Sequence, residues 1–429
     1  MLPFLNRRQF LITSLAANAA ARVHAESRSP TAAVEQAHRE IWRRFVDPYG
    51  ILIDFADLNG CVSLPTPEEC RDGKPNALGW WSPIENGAMF NGLYLEAALH
   101  RWKRTGQEKD ADQARRLMKG LLLLNSISEV KGFVGRGVST DGKSHYPMGS
   151  NDQTLPWFLG LWRYWQSTLA TAEEKKQIRQ HLEETATEII RLGWQMPAEP
   201  PFLTRGSFRG HHFEEVARML FTLKMLHTMT GDQRWAQLYE EELANRGGEH
   251  QLTKLEISEK GMVFFYAKTH NWTSCTAVGA LRGLWEMEEE PKRKAAYRQG
   301  LVASASLAAE SLALAKQFDP ADSSTFVMDW RVMNVDWKVQ KTPHEAQDLA
   351  LRQLKPFMKL APRRGKETAF VREPTAASWI VTLSPDIQQV RKWVPELHQV
   401  ITRYDYARLY YSQFFWSEMT WERLLLLGL

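Results

Sequence analysis

The sequence predicts an all-α protein whose helices pair into hairpins arranged as a ring. Three observations carry this. Apolar residues recur at helical spacing along most of the chain, as in Met89, Leu93, Leu95, Ala98, Leu99 and Trp102, the mark of helices with a buried face. The helical segments follow one another in pairs, separated by short breaks such as Thr105-Gly106 and Met229-Thr230-Gly231-Asp232, which suit turns between antiparallel neighbours. Period-two stretches are few, Gly261 to Lys268 and Thr325 to Val339, so only short β segments are expected.

In chain order, residues 1–25 are set apart. Asn6-Arg7-Arg8-Gln9-Phe10-Leu11 has a twin-arginine pattern, followed by an apolar run from Leu11 to Ala21 and a small-residue end at Val23-His24-Ala25. This predicts a Tat-type export signal cleaved after Ala25 and a periplasmic or secreted protein. The apolar run is shorter than the roughly 20 residues that span a bilayer, so no membrane association is expected once the leader is removed. Residues 26–429 then form one domain, because no composition shift or linker divides them.

Thr31 to Val46 reads as an amphipathic helix, and Asp47 to Ser82 as an irregular stretch rich in Pro and Gly. Helices are expected at 85–105, 107–128, 152–169, 172–194, 210–230, 233–246, 271–289, 292–317, 344–355, 375–383, 386–403 and 405–427. The loop from Gly135 to Gly149 is polar and turn-rich, and it delivers Ser150, Asn151 and Asp152 to a helix start. Ser, Asn and Asp cap helices there, and long ordered loops are where binding groups concentrate.

Composition narrows the function. A hydrophobic fraction of 44% supports a large core, and seventeen tryptophans serve either that core or flat faces for sugar rings. Loss of Arg7, Arg8 and Arg22 with the leader lowers the formal charge of +4 by three, so bulk charge gives no reason to expect a nucleic-acid partner. Of the three cysteines, Cys61 and Cys70 share a loop and are candidates for one disulfide, while Cys275 reads as a buried thiol. Nucleophile-elbow, phosphate-loop and HExxH motifs do not occur. His211-His212 with Glu214-Glu215 is poorly spaced for a metal, since adjacent helical residues point about 100° apart. No metal or cofactor is expected.

The paired helices, the stretch Glu85-Asn86-Gly87-Ala88-Met89-Phe90-Asn91-Gly92-Leu93-Tyr94, the Trp-rich loops and the export signal resemble the (α/α) toroid carbohydrate-active enzymes. These include six-hairpin glycosidases and the toroid polysaccharide lyases that act on alginate or glucuronan. The resemblance implies an (α/α)6 or (α/α)7 toroid, complete or incomplete, acting on an acidic polysaccharide. It also implies a lyase set of Asn, His, a cation and Tyr in that chain order, which Asn151, His211, Lys260 and Tyr266 match, with Lys where an Arg is expected.

The chemistry explains those residue types. β-Elimination from a uronate needs a group that neutralises the sugar carboxylate, here Asn151 helped by Lys260 or Arg209. It also needs a base and an acid, here Tyr266 and His211. His212, His270, Asn271, Trp272, Trp80, Trp81, Asn86 and Asp152 are candidate substrate contacts. His212, His270 and Asn271 read equally as helix-start residues, and the tryptophans as packing. Hydrolysis instead requires two carboxyl groups flanking the bond. Glu85 and Asp152 are the first candidates, with Asp54, Asp57, Asp141 and Glu214 behind them. A glycan-binding protein without chemistry is the third reading. The basic stretch 359–372 reads as a solvated loop or a rim for a polyanion.

Overall fold

A computed structural model describes residues 28–264 and 271–429. The expected leader, Tyr266 and His270 lie outside the described residues. The helices are α1 (Pro30–Glu40), α2 (Pro67–Asp72), α3 (Gly87–Thr105), α4 (Glu108–Ser126), α5 (Asn151–Gln166), α6 (Ala172–Arg191), α7 (Phe213–Thr230) and α8 (Gln233–Ala244). They continue as α9 (Lys254–Lys260), α10 (Asn271–Met287), α11 (Pro291–Ala309), α12 (Pro343–Leu360), α13 (Pro362–Glu367), α14 (Glu373–Thr382), α15 (Ile387–Thr402) and α16 (Phe415–Leu426).

Burial sorts most of these helices into two layers. Helices α3, α5, α7, α10, α14 and α16 are buried around most of their circumference. Their hairpin partners bury one stripe: Ile178, Leu182, Ala186 and Ile189 on α6, Trp235, Tyr239 and Leu243 on α8, and Val390, Leu397 and Ile401 on α15. A helix with a single apolar stripe belongs on the outside of a ring, and one apolar all round belongs within it.

The inner helices pack in the order α3, α5, α7, α10, α14, α16 and back to α3, and α5 also touches α10 across the centre. Helices α4, α6, α8, α11 and α15 each return along the outside of the preceding inner helix. The sixth hairpin joins the two ends of the described chain, α1 against α16. Among the described residues the ring therefore closes with six hairpins, which decides between the six and seven the sequence left open.

Local chemistry sets the turns. Gly106 and Gly231 end α3 and α7 in the left-handed conformation that glycine tolerates, and Thr171 with Glu174 forms a capping box at the start of α6. Helices α3 and α5 approach so closely that a Cβ on Gly92 would collide with the Pro156 carbonyl. The ring is filled rather than hollow: Trp157, Trp162, Trp379 and Trp416 are fully buried, so these tryptophans are core.

Three expectations are corrected. The strand expected from Gly261 begins as a 3₁₀ turn, Gly261–Val263, because Gly261 leaves α9 at φ +61 against α11. The extended run expected at Thr325 to Val339 contains the 3₁₀ segment Trp330–Asp336, turned inward by the buried Trp330. The β structure lies elsewhere, in the antiparallel pairs Gln195–Pro197 with Thr204–Ser207 and Arg246–Gly247 with Leu252–Thr253. Cys61 and Cys70 are free thiols, one exposed and one buried in α2, rather than a disulfide.

Candidate active site

Because the inner helices run parallel, their N-termini meet at one end of the ring, where unpaired N–H groups and the helix dipoles favour anionic and hydrogen-bond-accepting side chains. Polar contacts link that mouth helix by helix. Asn86, the N-cap of α3, accepts from Gln153 of α5 at 3.1 Å. Asp152 of α5 lies 3.9 Å from Arg218 of α7, and Glu214 of α7 accepts from Ser274 of α10 at 3.2 Å. The Asn271 N–H of α10 donates to Glu373 of α14 at 3.0 Å. Thr375 of α14 donates to the Gln413 carbonyl, just before α16, at 3.3 Å. Ser412 then donates its N–H to the Asp54 carbonyl at 2.9 Å, and the Asp54 carboxylate returns to Asn86, accepting from its N–H at 2.8 Å and its amide at 2.6 Å.

Asp54 and Glu214 in this circuit, and Glu85 and Arg136 beside it, are held away from their ordinary titration. Burial, and next the charge of Glu85, pushes the Asp54 carboxyl well above the usual range. Glu85 is raised by its own burial, against the opposing Trp81 N–H and the charge of Arg136. Two neighbouring buried carboxyls cannot both ionise cheaply, which favours the protonated form of one of them. Arg136 is buried with its guanidinium on the carbonyls of Glu85 (2.9 Å) and Met148 (3.0 Å). Burial, with Arg205 nearby, brings it down to about 10, while Asp152, Glu85 and Asp54 pull the other way. Glu214 is raised by burial, opposed by Arg218 at 3.4 Å.

Several buried polar atoms here have no hydrogen-bond partner among the described residues: Ser150 Oγ, Arg205 Nε, Arg218 Nε, Asn271 Oδ1, Arg372 Nε and Gln413 Oε1. Folded proteins leave few such groups unpaired, and six of them lie around this mouth.

Trp80 and Trp81 stand at the edge, edge-to-face at 5.9 Å, with Arg205 5.9 Å from the Trp80 ring. Trp81 occupies φ +74, a strained conformation for a bulky residue. It is held there by its N–H on Glu85 at 2.7 Å and its indole N–H on the Ala350 carbonyl at 3.0 Å.

The structure divides the sequence candidates. Glu85, Asn86, Asn151, Asp152, Asn271 and Trp272 belong to the mouth. Asn151 opens α5 against Gly206, whose φ of +84 and lack of a side chain allow the approach. Trp272 has one face covered by Arg372 at 4.4 Å. His211 instead packs against Gly247 and Gly248 and lines a cavity of about 450 Å³ with Trp194, Arg209, Glu242 and Lys254. Burial and the Lys254 charge lower its pKa. His212 is the N-cap residue of α7, its ring stacked 6.3 Å from Phe264. Lys260 is exposed and lines a separate cavity of about 670 Å³ with Glu256, Glu259 and Phe264. Neither cavity is lined by a carboxyl group of the mouth.

Other expectations shift too. Asp57 and Asp141 hold turns, accepting from the N–H groups of Asn59 and Cys61 and of Lys143 and Ser144. The 359–372 stretch is helical rather than a solvated loop, with Arg363 and Arg364 buried. Arg136, Arg205, Arg218 and Gln413 escaped the sequence reading, and Arg372 entered it only as the last residue of the basic 359–372 stretch. Arg136 is flagged only by standing between two glycines, and Arg218 by lying four residues after Glu214 on an apolar helix face.

Among the described residues no group of three or more His, Cys, Asp or Glu side chains is placed to hold a metal ion, and no helix is long and apolar enough to cross a membrane. No protein-family model, curated protein or solved structure matches the chain significantly.

Proposed function

We propose that the protein is an exported enzyme that cleaves glycosidic bonds of an acidic glycan at the N-terminal mouth of its helical ring, by acid–base hydrolysis. The observation that carries this reading is the Asp54–Glu85 pair, two carboxyl groups that burial shifts toward the protonated form, with the Glu85 charge adding to the shift at Asp54. A carboxyl group shifted toward its protonated form suits protonation of a departing glycosidic oxygen. Glu85 is the donor, because it is the less deeply buried of the two. Asp54, locked by Asn86, keeps the proton on the pair. Asp152, more exposed on the neighbouring helix start, is the second carboxyl, available to activate water or attack the sugar. Arg136, Arg205, Arg218 and Arg372 supply positive charge for an acidic sugar, and Trp80 supplies an aromatic face at the edge.

β-Elimination is the second reading, favoured by that same guanidinium cluster, which would neutralise a uronate carboxylate as its α-proton leaves. Its base would have to be Tyr266 or His211, and His211 sits in the 242–254 cavity rather than among the mouth carboxyls.

One assay separates the readings. Protein lacking residues 1–25 is incubated with alginate, glucuronan and neutral glycans while reducing ends and the ultraviolet absorbance of unsaturated ends are followed. Reducing ends without the chromophore are expected, and Glu85→Gln should lower the rate by roughly 10²–10⁴-fold. Unsaturated ends would establish elimination instead. Full activity in Glu85→Gln would remove the carboxyl pair from the mechanism, and neither product on any glycan would leave a binding protein.

A further inference from the structure

Of the guanidiniums at the mouth, Arg136, Arg218 and Arg372 are already committed. Arg136 donates to the carbonyls of Met148, Glu85 and Gly149 at 3.0, 2.9 and 3.3 Å, one from each nitrogen. Arg218 donates to Thr276 at 3.1 Å and is shared between Glu214 and Asp152 at 3.4 and 3.9 Å. Arg372 pairs with Glu373 at 3.1 Å and lies 4.4 Å from the centre of the Trp272 ring. Arg205 differs from all three. It is half-buried, its Nε is shielded from solvent without a hydrogen-bond partner, and the guanidinium has no ion pair among the described residues. Burial lowers its pKa, opposed by the charge of Asp152. A shielded cation without a partner costs free energy, and the Trp80 ring, 5.9 Å away at the limit of cation–π range, offsets little of it.

The backbone places this side chain. Gln195 pairs with Ser207 and Pro197 with Thr204, so Arg205 and Gly206 together stand opposite Met196. The extra residue makes a β-bulge, a device that re-aims a side chain and recurs beside active sites. Gly206 takes φ +84, and a Cβ there would lie 2.8 Å from Asn151 Oδ1 at the start of α5. The bulge therefore seats Arg205 against the mouth, with Trp80 on its other side. Trp80 is fixed by Asn76, whose side chain accepts from the Trp80 N–H and donates to its carbonyl, both at 3.1 Å. Contacts continue from there to the carboxyl pair: Trp80 packs edge-on to Trp81 at 5.9 Å, and the Trp81 N–H donates to Glu85 at 2.7 Å.

We propose that Arg205 is the specificity-determining residue of the mouth: with Trp80 against the sugar ring, its guanidinium takes the carboxylate of a uronate unit. The proposal rests on the mouth being the glycan site. A planar guanidinium matches a carboxylate through two parallel hydrogen bonds, and an aromatic ring offers an apolar face to a pyranose. The anion arriving with the ligand supplies the partner that the folded chain withholds, whereas a neutral hexose would leave the cation as it stands. Arg136, Arg218 and Arg372 would each have to give up a protein partner to do the same.

Binding and stability test this without turnover. The Trp80 indole N–H signal is identified by its disappearance in Trp80→Phe and followed by NMR during titration with single sugars. The probes are glucuronate, mannuronate, guluronate and galacturonate, their neutral hexoses, and glucose 6-sulfate. At least one uronate should bind more tightly than its neutral counterpart, and Arg205→Met should weaken that uronate by about 10–100-fold while leaving the hexose unchanged. Arg205→Lys, which keeps the charge but not the planar fork, should recover part of the loss. The Tm of Arg205→Met should not fall, because no protein partner is left behind. Unchanged uronate affinity in folded Arg205→Met overturns the proposal, and Arg205→Lys decides in the same way if Arg205→Met does not fold. Absence of uronate binding at millimolar concentration overturns it too, as does 6-sulfate bound as tightly as the uronate. Uronate binding through Arg205 in a protein that cleaves no glycan would count against hydrolysis alone and leave this assignment standing.

Discussion

Both ends of the inner ring carry charged side chains, and they use them differently. At the C-terminal end, Glu96 pairs with Arg163 at 3.2 Å and Arg423 at 3.3 Å, and Glu286 pairs with Arg163 at 2.5 Å and Arg282 at 2.7 Å. Arg282 and Arg423 also donate to the Leu383 and Thr382 carbonyls at 3.1 and 3.3 Å, where α14 ends. Cations at helix C-termini complement the dipole and the unpaired carbonyls. At the mouth the ion pairs around Arg218 are longer, 3.4 and 3.9 Å, while Arg372 and Glu373 pair at 3.1 Å, and six buried polar atoms lack described partners. One end spends its charges on holding the helices together, and the other keeps them available.

The titrations follow. Burial pushes Glu286 up, but Arg163 and Arg282 outweigh it and hold the carboxyl at about 2. Burial also holds His100, beside this network, down at about 4. At the mouth, burial prevails and Asp54, Glu85 and Glu214 rise.

The comparison is broken most severely by removing Glu96. Glu96→Ala leaves Arg163 and Arg423 short of a partner in a buried site, and urea unfolding should show a loss of about 3–5 kcal/mol. A loss below about 1 kcal/mol would mean that the far end is not the stabilising one.

The pH dependence of stability should separate the two ends. A carboxyl held low, as Glu286 is, contributes stability above its unfolded value near 4.3 and loses it as pH falls toward about 2. A carboxyl held high, as Asp54 and Glu85 are, contributes below its unfolded value and loses that contribution as pH rises through the folded pKa. Thermal unfolding should therefore show stability declining on both sides. Glu85→Gln should flatten the high-pH decline and add about 1 kcal/mol near pH 7 while abolishing turnover, the usual exchange between stability and activity. A high-pH limb unchanged in Glu85→Gln would remove the mouth from that linkage.

The smallest effect sharpens the boundary of the site. His211→Ala, in the 242–254 cavity, should leave glycan cleavage within about twofold of wild type, as substitutions outside the machinery do. A loss comparable to that of Glu85→Gln would bring the imidazole back into the mechanism and favour elimination.

Much of the ring was legible in the sequence. The periodicity of α6, α8 and α15 and the glycine stops after α3 and α7 depend on residues three to seven apart, and such spacing survives in a linear string. That Glu85, Asn86, Asp152 and Glu214 stand at helix starts was also legible, because acids and amides there are a local signal. His211 and Lys260 line other cavities, which their chain order could not show, because order says nothing about which side of a hairpin a loop occupies.

The sequence by itself determined the helical hairpins and which of their ends carry polar groups, since both follow from short-range spacing and capping chemistry. Only the tertiary structure decided that α1 closes against α16, that Asp54 reaches Asn86, and that Arg364 meets Tyr411 across 47 residues. Those contacts join segments whose separation leaves no periodic trace, and their chemistry depends on burial, which a residue acquires only when the ring closes around it.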